Sequence, residues 1–252
     1  MSMEDALSKR LNELALRAAH TGRPQFTRFL EPAHENEAQA AANRAGARVE
    51  FFGGYGDAER RVAAFYADEP PAAGEWPLVP LRLEWNAKFS DPGHRDLLGA
   101  VMGLGIEREM TGDIAMATHR GAPCACLFAL DEVADYIAAN LESAGRASLK
   151  VVPCDEPPQL LPPEGQSLRL TVQQPRLDAV LAAACRLSRA EAQRLVAGGL
   201  VKLNHVPCLR GDAKLSEGDL ISARGYGRVR LEAFRGESRR GRLVVEAFKY
   251  GK

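Results

Sequence analysis

The spacing of apolar residues predicts helices at the start of the chain. Leu7, Leu11, Leu14 and Ala18 recur at helical spacing, so the chain is expected to begin with an amphipathic helix. An alanine-rich stretch, residues 35–45, predicts a second helix. The first part of the chain is therefore expected to be rich in helix.

The same part of the chain contains one predicted strand and a glycine-rich turn. The strand covers residues 48–52, and the glycines of residues 53–56 stop it. Because these glycines lack the Lys-Ser/Thr of a P-loop and the spacing of a dinucleotide loop, we interpret them as a strand-to-helix turn. Asp57 is placed to cap a further helix through Tyr66. Residues 1–72 are expected to form a mainly helical N-terminal domain.

Residues 76–154 alternate between strands and helices. The predicted strands cover residues 78–85, 111–118, 123–130 and 148–152, and the predicted helices cover residues 94–104 and 131–143. The order β-α-β-β-α-β predicts a ferredoxin-like (RRM-like) domain. RNA-recognition modules stack bases on aromatic residues of their central strands, and the third strand here supplies few of them. Any RNA contact by this sheet is expected to use charge and backbone groups.

The C-terminal part of the chain follows a proline-rich, acidic segment, residues 155–166, which is interpreted as a stiff linker. Residues 167–252 begin with a strand and continue with a helix that carries an apolar stripe. Ser188 and Glu191 form a capping box for the next helix. Short strands are predicted over residues 200–204, 220–223, 229–234 and 243–248. The chain as a whole is expected to have an α+β fold.

Charge is distributed unevenly along the chain although its sum is zero. The 252 residues contain 33 Lys+Arg and 33 Asp+Glu. Residues 170–252 contain 16 basic and 8 acidic residues, a net charge of +8, which leaves −8 on the rest. Most of these basic residues are arginine, whose guanidinium suits phosphate. This asymmetry predicts an anionic partner for the C-terminal part, whereas a merely solvated basic surface is the simpler alternative.

Several spaced motifs in the C-terminal part resemble the S4 RNA-binding domain. The matching segments are Arg176-Leu177-Asp178, Leu187 to Ala192, Gly199 to Asn204, and Gly218 to Ile221. His205 departs from the resemblance, because the family usually has glycine after the asparagine. The resemblance implies two helices and a following β-turn that contact structured RNA.

The rest of the chain resembles the bacterial YlmH family. The matching segments are Phe52 to Tyr55, Glu84 to Phe89, His94 to Ala100, and Gly112 to Ile114. The resemblance implies a non-enzymatic, cytoplasmic protein that binds rRNA of the large ribosomal subunit, with peptidyl-tRNA nearby. It also implies a role in rescue or quality control of stalled translation and an indirect link to cell division.

An S4-type surface would read RNA shape through phosphates and 2′-hydroxyls. The candidate RNA-binding residues are Arg176, Arg186, Ser188, Arg189, Arg194, Lys202, Asn204, Arg210, Lys214, Arg224, Arg228 and Arg240. Ser188 is better explained as a helix cap and Asn204 as a turn former. For any single arginine a solvated surface position is an equal alternative, so the prediction rests on the set.

Two other classes of protein remain as alternatives. S4 modules also accompany pseudouridine synthases and other RNA-modifying enzymes, and Asp96 is the candidate catalytic acid by local context. The acidic N-terminal domains could instead serve a protein-interaction adaptor. His94-Arg95-Asp96 copies part of a kinase motif without the Asn and Asp-Phe-Gly that a kinase needs, so a helix start is preferred.

The remaining composition predicts no cofactor, metal, membrane or disulfide-linked partner. The five cysteines lack paired zinc spacing, so buried thiols are preferred over a metal site. No apolar run reaches about 20 residues, and the first residues lack the apolar region of a signal peptide.

Overall fold

A computed structural model describes residues 3–238 and 241–251 of the chain. The chain forms two units, Met1–Pro162 and Pro163–Lys252, each with its own sheets and buried core. Within the described residues, no helix is both long enough and apolar enough to cross a lipid bilayer.

The first unit begins with two helices and a three-stranded antiparallel sheet. The elements are α1 (Met3–Thr21), β1 (Gln25–Leu30), α2 (Glu35–Ala45), β2 (Arg48–Phe52) and β3 (Arg61–Tyr66). The strand order is β1-β3-β2, so β3 is central. Leu11 of α1 and Ala41 of α2 share a buried cluster with Ala63 and Phe65 of β3.

The prediction of a helix from Asp57 through Tyr66 is wrong, because most of this segment is strand β3. All residues from Val62 to Tyr66 are buried. Phe65 packs with the two helices, whereas Val62 packs with residues of the second sheet of this unit. A strand that is buried on both faces has no polar alternation, so periodicity cannot distinguish it from a helix. Strand β1 was also not predicted, and residues 1–72 are mixed rather than mainly helical.

The rest of the first unit contains the six predicted elements in their predicted order, together with three short strands that were not predicted. The elements are β4 (Leu78–Glu84), α3 (His94–Gly103), β5 (Thr111–His119), β6 (Ala122–Leu130), α4 (Asp131–Asn140), β7 (Ser143–Ala144), β8 (Ala147–Ser148), β9 (Lys150–Pro153) and β10 (Gln159–Leu160). The sheet order is β10-β5-β6-β4-β9, and all neighbouring strands are antiparallel. Leu97 and Ile137, from the two helices, are buried against Leu83 and Leu127 of the sheet.

Several predicted boundaries in this region differ from the structure. Helix α4 ends at Asn140 rather than at residue 143, because the chain then forms the short hairpin of β7 and β8. Asp131 is the first helical residue rather than the cap, and its Oδ1 accepts a hydrogen bond from the N–H of Glu132 at 2.7 Å. The last predicted strand begins at Lys150 rather than Ser148.

The glycines of residues 53–56 join two strands, which corrects the predicted strand-to-helix turn. Gly54 has φ +96°, and a Cβ at this position would meet the ring of Phe128 in β6. The ring of Tyr55 stacks on Phe128 with centroids 5.2 Å apart, and its hydroxyl donates to Asp113 Oδ2 at 3.1 Å. Close packing between the two sheets of this unit therefore explains the glycine at position 54.

The second unit contains a helix pair on one face of a six-stranded antiparallel sheet. The elements are β11 (Gly165–Val172), α5 (Leu177–Cys185), α6 (Arg189–Ala197), β12 (Val201–Leu203), β13 (Val206–Pro207), β14 (Leu220–Ala223), β15 (Gly227–Glu237) and β16 (Leu243–Tyr250). The strand order is β11-β16-β15-β14-β12-β13. Leu177, Leu181 and Val196 of the helices pack with Leu231 and Val245 of the sheet.

The proline-rich segment, residues 155–166, is not only a linker. Gln159 and Leu160 form β10, which pairs with Thr118 and Ala117 at the edge of β5. Strand β11 already begins at Gly165. The extended conformation was predicted, but no local sequence pattern indicates that the segment pairs with a strand some forty residues earlier.

Candidate nucleic-acid interface

The two helices of the second unit are joined by a short turn whose ends are fixed by local hydrogen bonds. Helix α5 ends at Cys185, and the cap residue Arg186 has φ 55° and donates its N–H to Ala182 O. Helix α6 begins with the predicted capping box. Ser188 Oγ accepts from the N–H of Glu191 at 3.2 Å, and the N–H of Ser188 donates to Glu191 Oε2 at 2.9 Å. Ser188 therefore acts as a helix cap.

A buried carboxylate connects the two helices. Asp178 of α5 has no exposed surface, and its Oδ2 accepts hydrogen bonds from Arg176 Nη2 at 3.0 Å, Arg189 Nη2 at 2.9 Å and Gln193 Nε2 at 3.1 Å. Its backbone N–H donates to Gly211 O at 2.9 Å. We call Asp178, Arg176, Arg189 and Gln193 the Asp178 cluster. The cluster holds two predicted RNA-binding arginines in fixed positions.

The electrostatics of the Asp178 cluster favour the ionised carboxylate. Burial alone would raise the pKa of Asp178, but hydrogen bonds from Gln193, Arg189 and Arg176 outweigh it and hold the pKa below its usual value. The side chains of Arg176 and Arg189 are 35% and 51% exposed, so each guanidinium keeps a surface toward solvent. The arginines can therefore remain paired with Asp178 and still meet an external anion.

Other predicted cations lie on or next to the same helices. Lys214 pairs through its backbone with Arg176, which places it beside the start of α5. Arg210, in the same loop, directs its Nε toward Asp212 Oδ1 at 3.4 Å and stays highly exposed. Arg186 and Arg194 are exposed at the end of α5 and in the last turn of α6. These six cations all belong to the helical side of the unit.

The turn between β12 and β13 keeps a tight two-residue geometry despite His205. Asn204 and His205 have φ 49° and 69°, and Leu203 pairs with Val206 across the turn. The Asn204 side chain donates to Asp219 Oδ1 and accepts from the N–H of Leu220, both at 2.8 Å. Asn204 thus forms the turn, as interpreted, and its side-chain amide also connects the β12–β13 hairpin to β14 by a hydrogen bond. Its polar atoms are used within the unit.

Lys202 and Arg228 lie on the opposite face of the sheet. The neighbours of Lys202 on β12 pack in the core below the helices, so Lys202 points the other way. Ser222 pairs with both Lys202 and Arg228, which places the two cations in one row across the strands. The guanidinium of Arg228 lies 4.8 Å from the ring centroid of Tyr250, and that of Arg230 lies 5.9 Å from it.

The twelve predicted residues are therefore not a single patch. Arg224 is exposed in the turn between β14 and β15, and its N–H donates to Leu200 O at 2.9 Å. Arg240 lies outside the described residues. On the helical side of the unit, Asp178 brings Arg176 and Arg189 together, and Lys214 pairs with Arg176 through its backbone.

Sequence reasoning missed several residues that organise this surface. Asp178 was quoted in a motif without a role, and Gln193, Asp219 and Tyr250 were not singled out. An acid inside the apolar stripe of α5 was the available signal for Asp178, because a buried carboxylate requires partners. The other three residues are positioned by contacts distant in sequence, which no local pattern reveals.

The residues considered for catalysis or metal binding have structural roles or are buried. Asp96 Oδ2 accepts from the N–H of Gly93 at 3.0 Å and caps α3. Cys124 and Cys126 are buried, and burial raises the pKa of the Cys126 thiol to about 12. Among the described residues, no three His, Cys, Asp or Glu side chains are grouped as they would be around a metal ion.

Two family models match the chain. The model described as "Putative RNA-binding domain in YlmH" matches residues 71–156, and the S4 domain model matches residues 175–221. With the basic helix pair of the second unit, these matches define the chain as an RNA-binding protein with an S4 domain.

A curated relative covers nearly the whole chain. "Ribosome-associated protein quality control protein P2" of Bacillus subtilis (strain 168) is 33% identical over 225 residues, which are 88% of this chain and 86% of that protein. The chain belongs to the YlmH family. A solved structure, "Cell division protein ylmH from Streptococcus pneumoniae", is 22% identical with a TM-score of 0.48 and covers 61% of this chain and 93% of that chain.

Proposed function

We propose that the second unit binds rRNA of the large ribosomal subunit and that the protein acts in rescue or quality control of stalled translation. The B. subtilis relative is named as a ribosome-associated quality control protein, and the similarity extends over both units. A ribosomal partner also implies a cytoplasmic location. Peptidyl-tRNA near the bound site is part of this proposal, and any link to cell division would be indirect, through translation.

The Asp178 cluster is the observation that carries this proposal. Arg176 is the cap residue of α5 and Arg189 is the first residue of α6, where free backbone N–H groups already favour an anion. Because Asp178 fixes both guanidinium groups, binding a phosphate would cost little further side-chain entropy. The net charge of +8 over residues 170–252 adds long-range attraction to RNA.

The proposed role is non-catalytic. Asp96, the candidate catalytic residue of an RNA-modifying enzyme, makes a helix-capping hydrogen bond with Gly93, which supports a structural role. Incubating the purified protein with ribosomal RNA and measuring methylation and uridine isomerisation would detect the enzymatic alternative.

Gradient sedimentation of cell lysate tests the ribosomal partner. At low salt, the full-length protein is expected to sediment with the large subunit after the subunits are separated. The double variant Arg194→Gln/Lys214→Gln removes two exposed cations of the second unit and is expected to shift toward the top of the gradient. The control, Arg10→Gln/Arg17→Gln, removes two exposed cations of α1 and should sediment as the wild type.

Two outcomes would contradict the proposal. The wild-type protein could remain at the top of the gradient at low salt, or the double variant could sediment with the large subunit as strongly as the control does.

A further inference from the structure

A cavity in the first unit has no role in the interface described above. Its volume is about 480 Å³, within the usual range for small-molecule sites of about 300–1,000 Å³. The lining comes from the neighbouring strands β6, β4 and β9, from Trp85 just after β4, and from the end of β5 with the turn that follows it. Its charged and polar side chains are Arg82, Glu84, Trp85, His119, Arg120 and Lys150. A second cavity of about 630 Å³ adjoins it and shares Glu84, Trp85 and Lys150.

The cavity lies at an uncovered end of the sheet face that the helices do not occupy. Leu83 and Leu127 pack with α3 and α4, so the alternating residues Arg82 and Cys126 belong to the other face. Toward the far end of β6, Phe128 on this face is covered by the ring of Tyr55. The three-stranded sheet therefore covers one end of this face, and the cavity occupies the other end.

The charge at the cavity is opposite to that of its surroundings. Residues 1–162 contain 16 Lys+Arg and 24 Asp+Glu, a net charge of −8. Three of those cations, Arg82, Arg120 and Lys150, line this one cavity together with a single carboxylate, Glu84. Arg82 Nε donates to Glu84 Oε1 at 2.7 Å, which fixes one guanidinium at the wall. A cluster of cations in an acidic unit indicates an anionic ligand.

A second observation at the same cavity is a polar atom without a partner. Trp85 is 9% exposed, and its indole Nε1 is buried without a hydrogen-bond partner. A buried N–H that lacks an acceptor is destabilising, and such groups are rare in folded proteins. Trp85 lines the cavity beside apolar surface from Pro123 and Val152, and its Nε1 lies beneath that surface. A ligand that combines an anion with a flat ring would match this lining.

We propose that this cavity binds the phosphate group of a single nucleotide. Arg120 and Lys150 contact the phosphate, Arg82 completes the cationic wall, and the sugar or base lies against Trp85 and Pro123. The nucleotide is either free or the unpaired end of an RNA strand, because both present the same phosphate. The site is in the first unit, so it does not depend on rRNA binding by the second unit.

Tryptophan fluorescence of the full-length protein tests this proposal. The chain has two tryptophans, and Trp76→Phe leaves Trp85 as the reporter while keeping an aromatic ring against Phe26 and Phe52. The probes are uridine 5′-monophosphate, uridine and a 5′-phosphorylated pentauridylate RNA. A saturable change with the monophosphate or the pentauridylate, and none with uridine, is expected. A response to the monophosphate but not to the pentauridylate would identify a free nucleotide as the ligand. A response to the pentauridylate but not to the monophosphate would identify the end of an RNA strand.

Matched variants test which side chains bind the phosphate. Lys150→Gln removes an exposed charge, and Arg120→Asn removes a charge while keeping a residue that tolerates the φ of 52°. Each is expected to weaken phosphate binding about tenfold. The control is Arg95→Gln on α3, across the sheet, which should bind as the parent does. Equal responses to uridine and its monophosphate, no saturable response to any probe, or unchanged binding by both cavity variants would each overturn the proposal.

Discussion

The carboxylate of Asp178 and the guanidinium of Arg189 join the two helices of the second unit, with Oδ2 and Nη2 2.9 Å apart. The arginine therefore has a contact inside the protein as well as a surface that faces solvent. Its removal would affect the stability of the unit and the affinity for RNA together. A test of RNA binding needs a cation on the same helix that does not contact Asp178.

Arg194 provides that comparison. Arg194→Gln is expected to weaken RNA binding uniformly across sequences and to reduce the slope of log affinity against log salt by about one, because one phosphate contact is lost. Arg189→Ala is expected to do the same and also to lower the free energy of unfolding by about 1–2 kcal/mol, discounted for its half-exposed side chain. Filter binding at several salt concentrations and urea unfolding measure the two effects. An unchanged salt slope in both variants would contradict the predicted phosphate contacts.

Asp178→Asn is expected to destabilise the second unit at neutral pH by about 1–3 kcal/mol, because Arg176 and Arg189 lose a charged acceptor. The pKa of Asp178 is lowered by folding. Its contribution is therefore present above the unfolded pKa of about 3.9 and is lost as pH falls through the folded pKa. The difference between wild type and variant should shrink in acid. Urea titrations followed by amide NMR signals of α5 and α6, at neutral and acidic pH, measure it. A difference that grows in acid would show the opposite linkage.

His205→Gly is expected to stabilise the second unit by about 0.5–1 kcal/mol. His205 has φ 69°, a left-handed conformation that favours glycine, and the gain is reduced by the greater freedom of glycine in the unfolded chain. The matched variant Asn204→Gly also has a suitable φ but loses two hydrogen bonds, so it should destabilise. Urea unfolding of the second unit distinguishes them. Equal stability changes in the two variants would mean that the turn conformation is not the source of strain.

Gly54→Ala is expected to destabilise the first unit by about 2–4 kcal/mol. The new methyl group would meet the ring of Phe128, and alanine disfavours φ +96°. Gly56→Ala is the control, since nothing lies within 4 Å of a Cβ at that position. Urea unfolding followed by tryptophan fluorescence reports this unit, because Trp76 and Trp85 both belong to it. A similar loss in both variants would contradict the packing explanation.

The fold was predicted best where local patterns and tertiary packing agree. The strands β5 and β6 and the capping box of Ser188 all carry signals within a few residues, and the structure contains each of them. Strands β3 and β10 were missed for two different reasons. β3 is buried on both faces, and β10 pairs through its backbone with a distant edge.

The sequence predicted which region of the chain is basic, but it did not predict how the basic side chains are arranged in space. Charge asymmetry and the S4 motifs identified the second unit. They did not indicate that Asp178 would hold Arg176 and Arg189, or that Lys202 would lie on the opposite face of the sheet. Those features depend on contacts such as Asp178 with Gln193 that form only after the helices pack.

Strand β10 has a consequence for the behaviour of the first unit at high concentration. An unpaired edge strand exposes N–H and C=O groups that can recruit a strand from another molecule, and this is a common route to aggregation. Gln159 and Leu160 occupy that edge of β5, and prolines at positions 157, 158, 162 and 163 flank them without N–H groups to offer. The segment between the units thereby covers this part of the β5 edge, so shortening it would leave those backbone groups open to pairing with a strand from another molecule.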